Sequence, residues 1–124
     1  MLSRYSMVRG APASSLPVGT RQDTRKHTKH VLRPLAEMVE AVLGHADDER
    51  AWRDFERAYR ALLEERYRSE RAGFDAIAEA ARRGDVYLGC NCPTAKNPDV
   101  RRCHTVLALA FMKERYPDLD VRAP

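Results

Sequence analysis

All three cysteines of the chain lie in one short stretch, and a histidine follows the last of them. Cys90 and Cys92 are separated by a single residue, and Cys103 stands next to His104. A cysteine thiolate is both a nucleophile and a soft metal ligand, and an imidazole can act as its base or as a further ligand. We therefore expect the chemistry of this protein in this stretch.

The cysteine stretch connects a predicted strand to a predicted helix. The apolar run Val86–Cys90 lacks alternation of apolar and polar residues, which is typical of a parallel strand covered by helices on both faces. From Thr105 onward, apolar residues recur at spacings of three and four, which predicts a helix. The sequence therefore predicts an α/β fold with a small, mostly parallel sheet flanked by helices.

The first hypothesis is an anion site with a reactive thiolate. In open α/β sheets, ligands bind beyond the carboxyl ends of the strands, where the next helix presents free backbone amides. The neighbouring cations and His104 should favour the thiolate of Cys103. We expect a phosphorylated, nucleotide-like ligand and no cofactor, with thiol-dependent catalysis as an extension. The candidate catalytic residues are Cys103, His104 and Cys90, and the candidate ligand-binding residues are Asn91, Cys92, Arg101, Arg102 and Thr105.

Two other interpretations of the cysteines stay open. Cys90, Cys92, Cys103 and His104 offer the soft ligands of a tetrahedral zinc site. The spacing argues against zinc, because Cys-x-Cys is tighter than the usual zinc knuckle and adjacent Cys and His residues rarely bind one ion. Alternatively, Cys90 and Cys103 are small buried apolar residues, which agrees with Leu107 one turn after Cys103.

Length and composition set further bounds. The 124 residues fit one domain, 1–124, and no apolar run approaches the roughly 18 residues that cross a bilayer, so we expect no membrane partner. An odd number of cysteines at one locus argues against a disulfide framework and favours a reducing cytoplasm. The oligomeric state is not indicated.

Positive charge is concentrated in the first third of the chain. Through Arg33 there are seven Lys or Arg residues and one Asp, a net charge of +6, which leaves −2 for the remainder of a chain whose total is +4. This asymmetry supports a different function, a nucleic-acid-binding accessory protein. Its candidate contacts are Arg25, Lys26, Lys29 and Arg33.

The N-terminal part gives weaker signals. Residues 10–24 are rich in chain breakers and predict a loop. A helix should follow, with Lys26, Lys29 and Arg33 on one face, although Pro34 implies a kink or a start near Arg33. Further helices are predicted around the aromatic stripe that begins at Trp52 and again before Gly84, with Gly73 breaking or bending the run between them. Residues 118–124 form either a loose tail or an edge strand.

The chain resembles the domain of unknown function family four-eight-eight in four features. These are the helix Trp52-x-x-Phe55-x-x-x-Tyr59-x-x-Leu62, a second helix ending at Gly84, the strand Val86–Cys90 and the pair Cys103-His104 at a helix start. The resemblance covers Val31 to Tyr116. It implies a compact α/β domain in which the strand-end cysteine and the Cys-His pair face one pocket, and it lends no reaction.

Two differences from the family pattern concern arginines. The family's arginine after Cys-His is replaced by Thr105, and Arg101 and Arg102 would supply the cation from the other side. The resemblance also implies that Val8-Arg9-Gly10 corresponds to a strand that delivers an arginine to the site, which makes Arg9 a further candidate ligand-binding residue.

Overall fold

Three parallel strands form the sheet, and the last of them in the chain lies in the middle. In the computed structural model, which describes residues 1–124, the strands are β1 (Leu2–Ser6), β2 (Thr20–Asp23) and β3 (Val86–Cys90), in the order β1-β3-β2. Since β1 and β2 both run parallel to β3, the carboxyl ends of all three strands lie at one edge of the sheet. The expected α/β fold in a single domain is confirmed.

Four helices accompany the sheet: α1 (Ala36–Val42), α2 (Glu49–Ser69), α3 (Arg71–Arg83) and α4 (His104–Arg115). Single 3-10 turns occupy Ala13–Ser15 and Val100–Arg102. The side chain of Asp48 accepts the amide of Ala51 at 3.1 Å and caps α2. The break between α2 and α3 falls at Glu70 and not at Gly73, which the sequence suggested.

Gly73 instead lies within α3 for a packing reason. A methyl group added at this position would lie 3.2 Å from the Cβ atom of Val31. The residue is small because the segment before α1 crosses the helix closely at this point.

One apolar core joins the helices to one face of the sheet. Leu2, Val86 and Leu88 belong to it, together with the buried stripe of α2 that includes Phe55 and Tyr59. On the opposite face the side chain of Tyr87 is only half-buried and lies outside the core. The expectation that β3 is covered on both faces is therefore wrong for that face.

The segment between β2 and α1 differs from the sequence expectation. Residues 10–24 were predicted as a loop. Within them, Thr20–Asp23 forms a strand, because its backbone groups pair in parallel with those of β3. The helix starts only at Ala36, after Pro34, since proline disfavours the helical conformation of the residue before it. Lys26, Lys29 and Arg33 consequently do not share a helix face, and that prediction is wrong.

Buried polar groups of α2 hold this non-helical segment in place. The hydroxyl of Tyr59 donates to the carbonyl of Leu32 at 2.5 Å, and the Nη1 atom of Arg66 donates to the carbonyls of Val31 (2.8 Å) and Arg33 (2.5 Å). Unpaired carbonyls at these depths would be costly, so the α2 side chains substitute for helix hydrogen bonds.

The C-terminal residues pack against the sheet. Leu119 is buried, and Val121 forms a bridge with Leu2 through backbone hydrogen bonds from Leu2 to Asp120 (2.8 Å) and from Arg122 to Leu2 (2.9 Å). Of the two alternatives for residues 118–124, the structure has a short pairing at the edge of β1. None of the helices has the length and apolar character needed to cross a membrane.

Candidate functional site

The three cysteine sulfurs meet at the carboxyl edge of the sheet. Cys90 ends β3, Cys92 follows it in the loop, and Cys103 is the N-cap residue of α4. All three Sγ atoms lie within 4.8 Å of one another, and those of Cys90 and Cys92 are 3.9 Å apart. None forms a disulfide. The topology brings them together because α4 returns to the edge at which β3 ends.

The sulfur of Cys103 accepts hydrogen bonds. The Thr105 hydroxyl lies 3.2 Å from Cys103 Sγ and also 2.9 Å from Nε of Arg4, which can only donate. Since a hydroxyl has one proton, Thr105 accepts from Arg4 and donates to the sulfur. The other contacts of the Arg4 guanidinium are to uncharged groups, the hydroxyl of Ser6 and the carbonyl of Cys92.

The tautomer of His104 follows from the same kind of argument. The Thr24 hydroxyl donates to the carbonyl of Gly89 at 3.0 Å, so its contact with Nε2 of His104 at 2.8 Å must be accepted from that nitrogen. Assigned from this network, the proton of the neutral ring is on Nε2. The lone pair of Nδ1 then faces Cys103 Sγ, 3.9 Å away. His104 is positioned to take the thiol proton of Cys103.

The electrostatics of the cluster single out Cys103 as the thiolate. Hydrogen bonds from the thiols of Cys90 and Cys92 hold the pKa of Cys103 well below its usual range despite burial. The hydrogen bond to Cys103 raises the pKa of the Cys90 thiol and of the Cys92 thiol. The opposite directions of these shifts favour a negative charge on Cys103 over one on Cys90 or Cys92.

A cavity of about 340 Å³ opens onto the cluster, and Cys90, Cys92, Cys103 and His104 form part of its lining. One wall is apolar. It is formed by Pro34, Val39, Val42, Leu43, Trp52 and Phe55. The rings of Trp52 and Phe55 stack, with centroids 5.5 Å apart.

The remaining wall is polar and cationic. Its charged side chains are Arg25, Lys26, Lys96 and Arg102, and no aspartate or glutamate lines the cavity. Arg25 is paired with Asp23 at 2.8 Å, and Arg102 donates to Glu49 and to the carbonyl of Ala46. Lys26 lies 3.9 Å from Glu40, so Lys96 is the one lining cation without a carboxylate partner. A cationic lining beside an apolar one suits an anion with an apolar part.

Several residues predicted from the sequence lie at the cavity. Asn91, Cys92 and Arg102 line it, and Asn91 accepts a hydrogen bond from Arg25 at 3.2 Å. Thr105 is buried beneath it against Cys103. Arg25 and Lys26, which were assigned to nucleic-acid binding, also contribute to the lining.

Other candidates lie elsewhere. Arg101 is exposed, is paired with Asp99 at 3.0 Å and does not line the cavity. Arg9 lies in a separate groove beside Met7 and Val8, and Lys29 lines another one on the far side of the segment before α1. Neither belongs to the lining of the cysteine cavity. Strand β1 ends at Ser6, and the arginine that it places beside Thr105 and Cys92 is Arg4.

Of the four zinc ligands that the sequence offered, the structure brings together only the three cysteines. The three sulfurs are close enough to share one ion, whereas His104 is not part of this group and its Nε2 atom is engaged by Thr24. The buried-thiol interpretation holds for burial, since Cys90 and Cys103 are both buried. It does not account for the hydrogen bonds that converge on Cys103.

Sequence reasoning missed Arg4 and Thr24. The Asn97 amide donates to Cys92 Sγ at 3.1 Å and to the carbonyl of Arg102 at 2.8 Å, so it holds the cysteine loop. The sequence did contain a signal for Arg4. At two-residue spacing, Arg4 lies on the same face of β1 as Leu2 and Ser6, which is the face toward the core. A polar residue there indicates a functional partner.

Comparison with known proteins gives one match. A sequence profile described as the active DUF488-N3 subclade matches residues 6–116. No curated protein and no solved structure gives a significant match.

Proposed function

The chain belongs to the DUF488 family, a family of unknown function, and from its site we propose that the cavity binds a small anion with an apolar or aromatic part. The class of ligand that we favour is a nucleotide-like phosphate. Cys103 is the nucleophile of the site. One observation carries this proposal: the sulfur of Cys103 lies at a cavity that is lined by four cations and by no carboxylate.

The two walls of the cavity suit two parts of such a ligand. A base or another planar group would pack against Trp52 and Phe55, and the anionic group would lie toward Lys26 and Lys96. A volume of about 340 Å³ is that of a small-molecule site.

Nucleophilic chemistry is supported by the groups around Cys103. A thiolate flanked by a base and by hydrogen-bond donors is the arrangement used in covalent catalysis. His104 receives the proton at Nδ1, and Thr105 stabilises the charge that remains on sulfur. Reduced cysteines are required, and we propose the cytoplasm as the compartment.

The binding step is tested by fluorescence of the single tryptophan, Trp52. Titration with AMP should change the emission with saturation, whereas adenosine, which lacks the anion, should bind at least about tenfold more weakly. Lys96→Gln and Lys26→Gln should each weaken AMP binding severalfold.

Lys29→Gln is the matched control, because it removes a cation of the same segment that does not line the cavity. Equal loss with Lys29→Gln, accompanied by salt-sensitive retention on heparin, would support the nucleic-acid alternative instead. No emission change with AMP, pyrophosphate or phosphate would contradict the proposal.

A further inference from the structure

The three clustered thiols differ in burial and in hydrogen bonding, and this difference suggests a second activity. Cys103 receives hydrogen bonds and is almost fully buried, at 2% exposure. Cys90 is fixed in the sheet, where its carbonyl accepts the amide of Met7 at 2.9 Å. Cys92 is half-buried in the loop that follows the strand. A single thiolate with a more accessible thiol beside it is the arrangement of a two-cysteine redox centre.

Cys103 is the sulfur that an oxidant would attack. Thiolates react with hydroperoxides, and the charge of the cluster is placed on Cys103 by its donors, with the Arg4 guanidinium behind Thr105. Cys103 also belongs to the lining of the cavity, which is the side from which a small hydroperoxide would approach the sulfur.

Cys92 is the better of the two neighbouring thiols for closing a disulfide. Its sulfur lies within 4.8 Å of Cys103 Sγ, and it belongs to a loop outside the sheet ladder. The contact from Asn97 to its sulfur is a single side-chain hydrogen bond, which a rotation of the cysteine side chain would break. Greater exposure than Cys90 also leaves the resulting disulfide open to a reducing thiol.

We propose that the cysteine cluster reduces small hydroperoxides through a reversible Cys92–Cys103 disulfide. The proposal rests on the Cys103 thiolate of the proposed function. The thiolate attacks the terminal peroxide oxygen, the O–O bond breaks, and the alkoxide or hydroxide leaves as alcohol or water with the proton that Nδ1 of His104 took from Cys103. Cys103 is then a sulfenic acid. The Cys92 thiol attacks its sulfur, the S–O bond breaks, and water leaves as the S–S bond forms. An external dithiol restores both cysteines by exchange at Cys92.

Tryptic mapping after treatment with hydrogen peroxide reports the pairing directly. Lys96, Arg101 and Arg102 separate Cys92 from Cys103, whereas no Lys or Arg lies between Cys90 and Cys92. A Cys92–Cys103 disulfide therefore joins two tryptic peptides, and a Cys90–Cys92 disulfide stays within one. The full-length protein should lose two thiols per equivalent of peroxide, yield the joined peptides, and recover its thiols with dithiothreitol.

Two single variants identify the partner. Cys90→Ser should keep the joined peptides, because the sulfurs of Cys92 and Cys103 are both still present. Cys92→Ser should lose the joined peptides, reduce turnover by about tenfold or more, and leave a Cys103 sulfenic acid that dimedone traps. The tryptophan emission of both variants shows that they are folded, and Cys92→Ala repeats the test if Cys92→Ser is not.

The opposite pattern, with joined peptides lost in Cys90→Ser and kept in Cys92→Ser, would overturn the pairing. Rapid alkylation of Cys103 by iodoacetamide without peroxide consumption would overturn this activity and leave the proposed function intact. Slow alkylation of Cys103 in the native protein would overturn both. So would stoichiometric zinc in the purified protein that blocks all three thiols until a chelator is added.

Discussion

A single hydroxyl, that of Thr105, links the guanidinium of Arg4 to the sulfur of Cys103. The link orients the proton of the hydroxyl, because a group that accepts from arginine has only its own proton left to donate. Thr105, in the first turn of α4, thus transmits the charge of an arginine on β1 to the sulfur of Cys103.

The first prediction concerns this link. Thr105→Val keeps the shape of the side chain and removes the donor, so the pKa of Cys103 should rise, since a hydrogen bond to the thiolate favours the charged form. The alkylation rate of Cys103 should therefore begin to fall at a higher pH in Thr105→Val than in the wild type, by about tenfold for each pH unit below the raised pKa. Thr105→Ser keeps the hydroxyl and should alkylate at close to the wild-type rate. Equal rates in the Val and Ser variants would show that the hydroxyl does not act on the sulfur.

The second prediction is the pH dependence of the three thiols. Hydrogen bonds from its neighbours lower the pKa of Cys103, so its alkylation rate should stay nearly constant from pH 9 down to pH 5. The pKa values of Cys90 and Cys92 are raised, and they should react only at alkaline pH or after unfolding. Iodoacetamide labelling with mass spectrometry of each cysteine measures this. A Cys103 rate that falls tenfold per pH unit below pH 8.5 would identify an ordinary thiol.

The third prediction concerns stability in mild acid. Burial lowers the pKa of His30 to about 4, and its Nδ1 atom accepts the amide of Leu32 at 3.0 Å. Because the unfolded chain binds this proton more readily, stability is complete above about pH 6.5 and falls as the pH drops toward 4. We expect a loss of about 2 kcal/mol, which allows for the partial exposure of the ring.

Denaturant unfolding at pH 7, 5 and 4 tests the role of His30. His30→Asn should be less stable than wild type at pH 7 and should show a flatter pH dependence. His45 is exposed, and His45→Asn should leave the pH dependence unchanged. A wild-type slope retained in His30→Asn would assign the effect to another group.

The fourth prediction concerns the hydrogen bond from Tyr59 of α2 to the segment before α1. Tyr59→Phe removes the donor to the carbonyl of buried Leu32 and should destabilise the protein by about 1–2 kcal/mol. Tyr87→Phe, on the half-buried face of the sheet, should change stability by less than about 0.5 kcal/mol. The free energies come from urea unfolding at neutral pH, and equal values for the two variants would contradict the prediction.

The strand β3 and the helices that pack in the core could be predicted from the spacing of apolar residues. Val86–Cys90, the stripe from Trp52 and the helix that begins after Cys103 all bury apolar side chains at regular spacing, so their positions could be read from the chain. The proximity of Cys90 and Cys103 followed from the rule that ligands and helix starts gather at the carboxyl edge of parallel strands.

The remainder depended on contacts that no local pattern records. β2 has a polar sequence and exists because β3 pairs with it. The residues before α1 are held outside a helix by Tyr59 and Arg66, which are distant in the chain. Arg4 reaches the site through the register between β1 and β3. These are tertiary effects, and they override local propensity.

The strand order has a consequence for how the site forms in time. Arg4 is 101 residues from Thr105 along the chain, and Thr24 is 80 residues from His104, so neither contact can be made before α4 is available. Contacts of such sequence separation form late, after the closure of long loops. During synthesis, β1 and β2 must therefore wait for the last third of the chain, and until then Cys90 and Cys92 are ordinary thiols of an unfinished sheet.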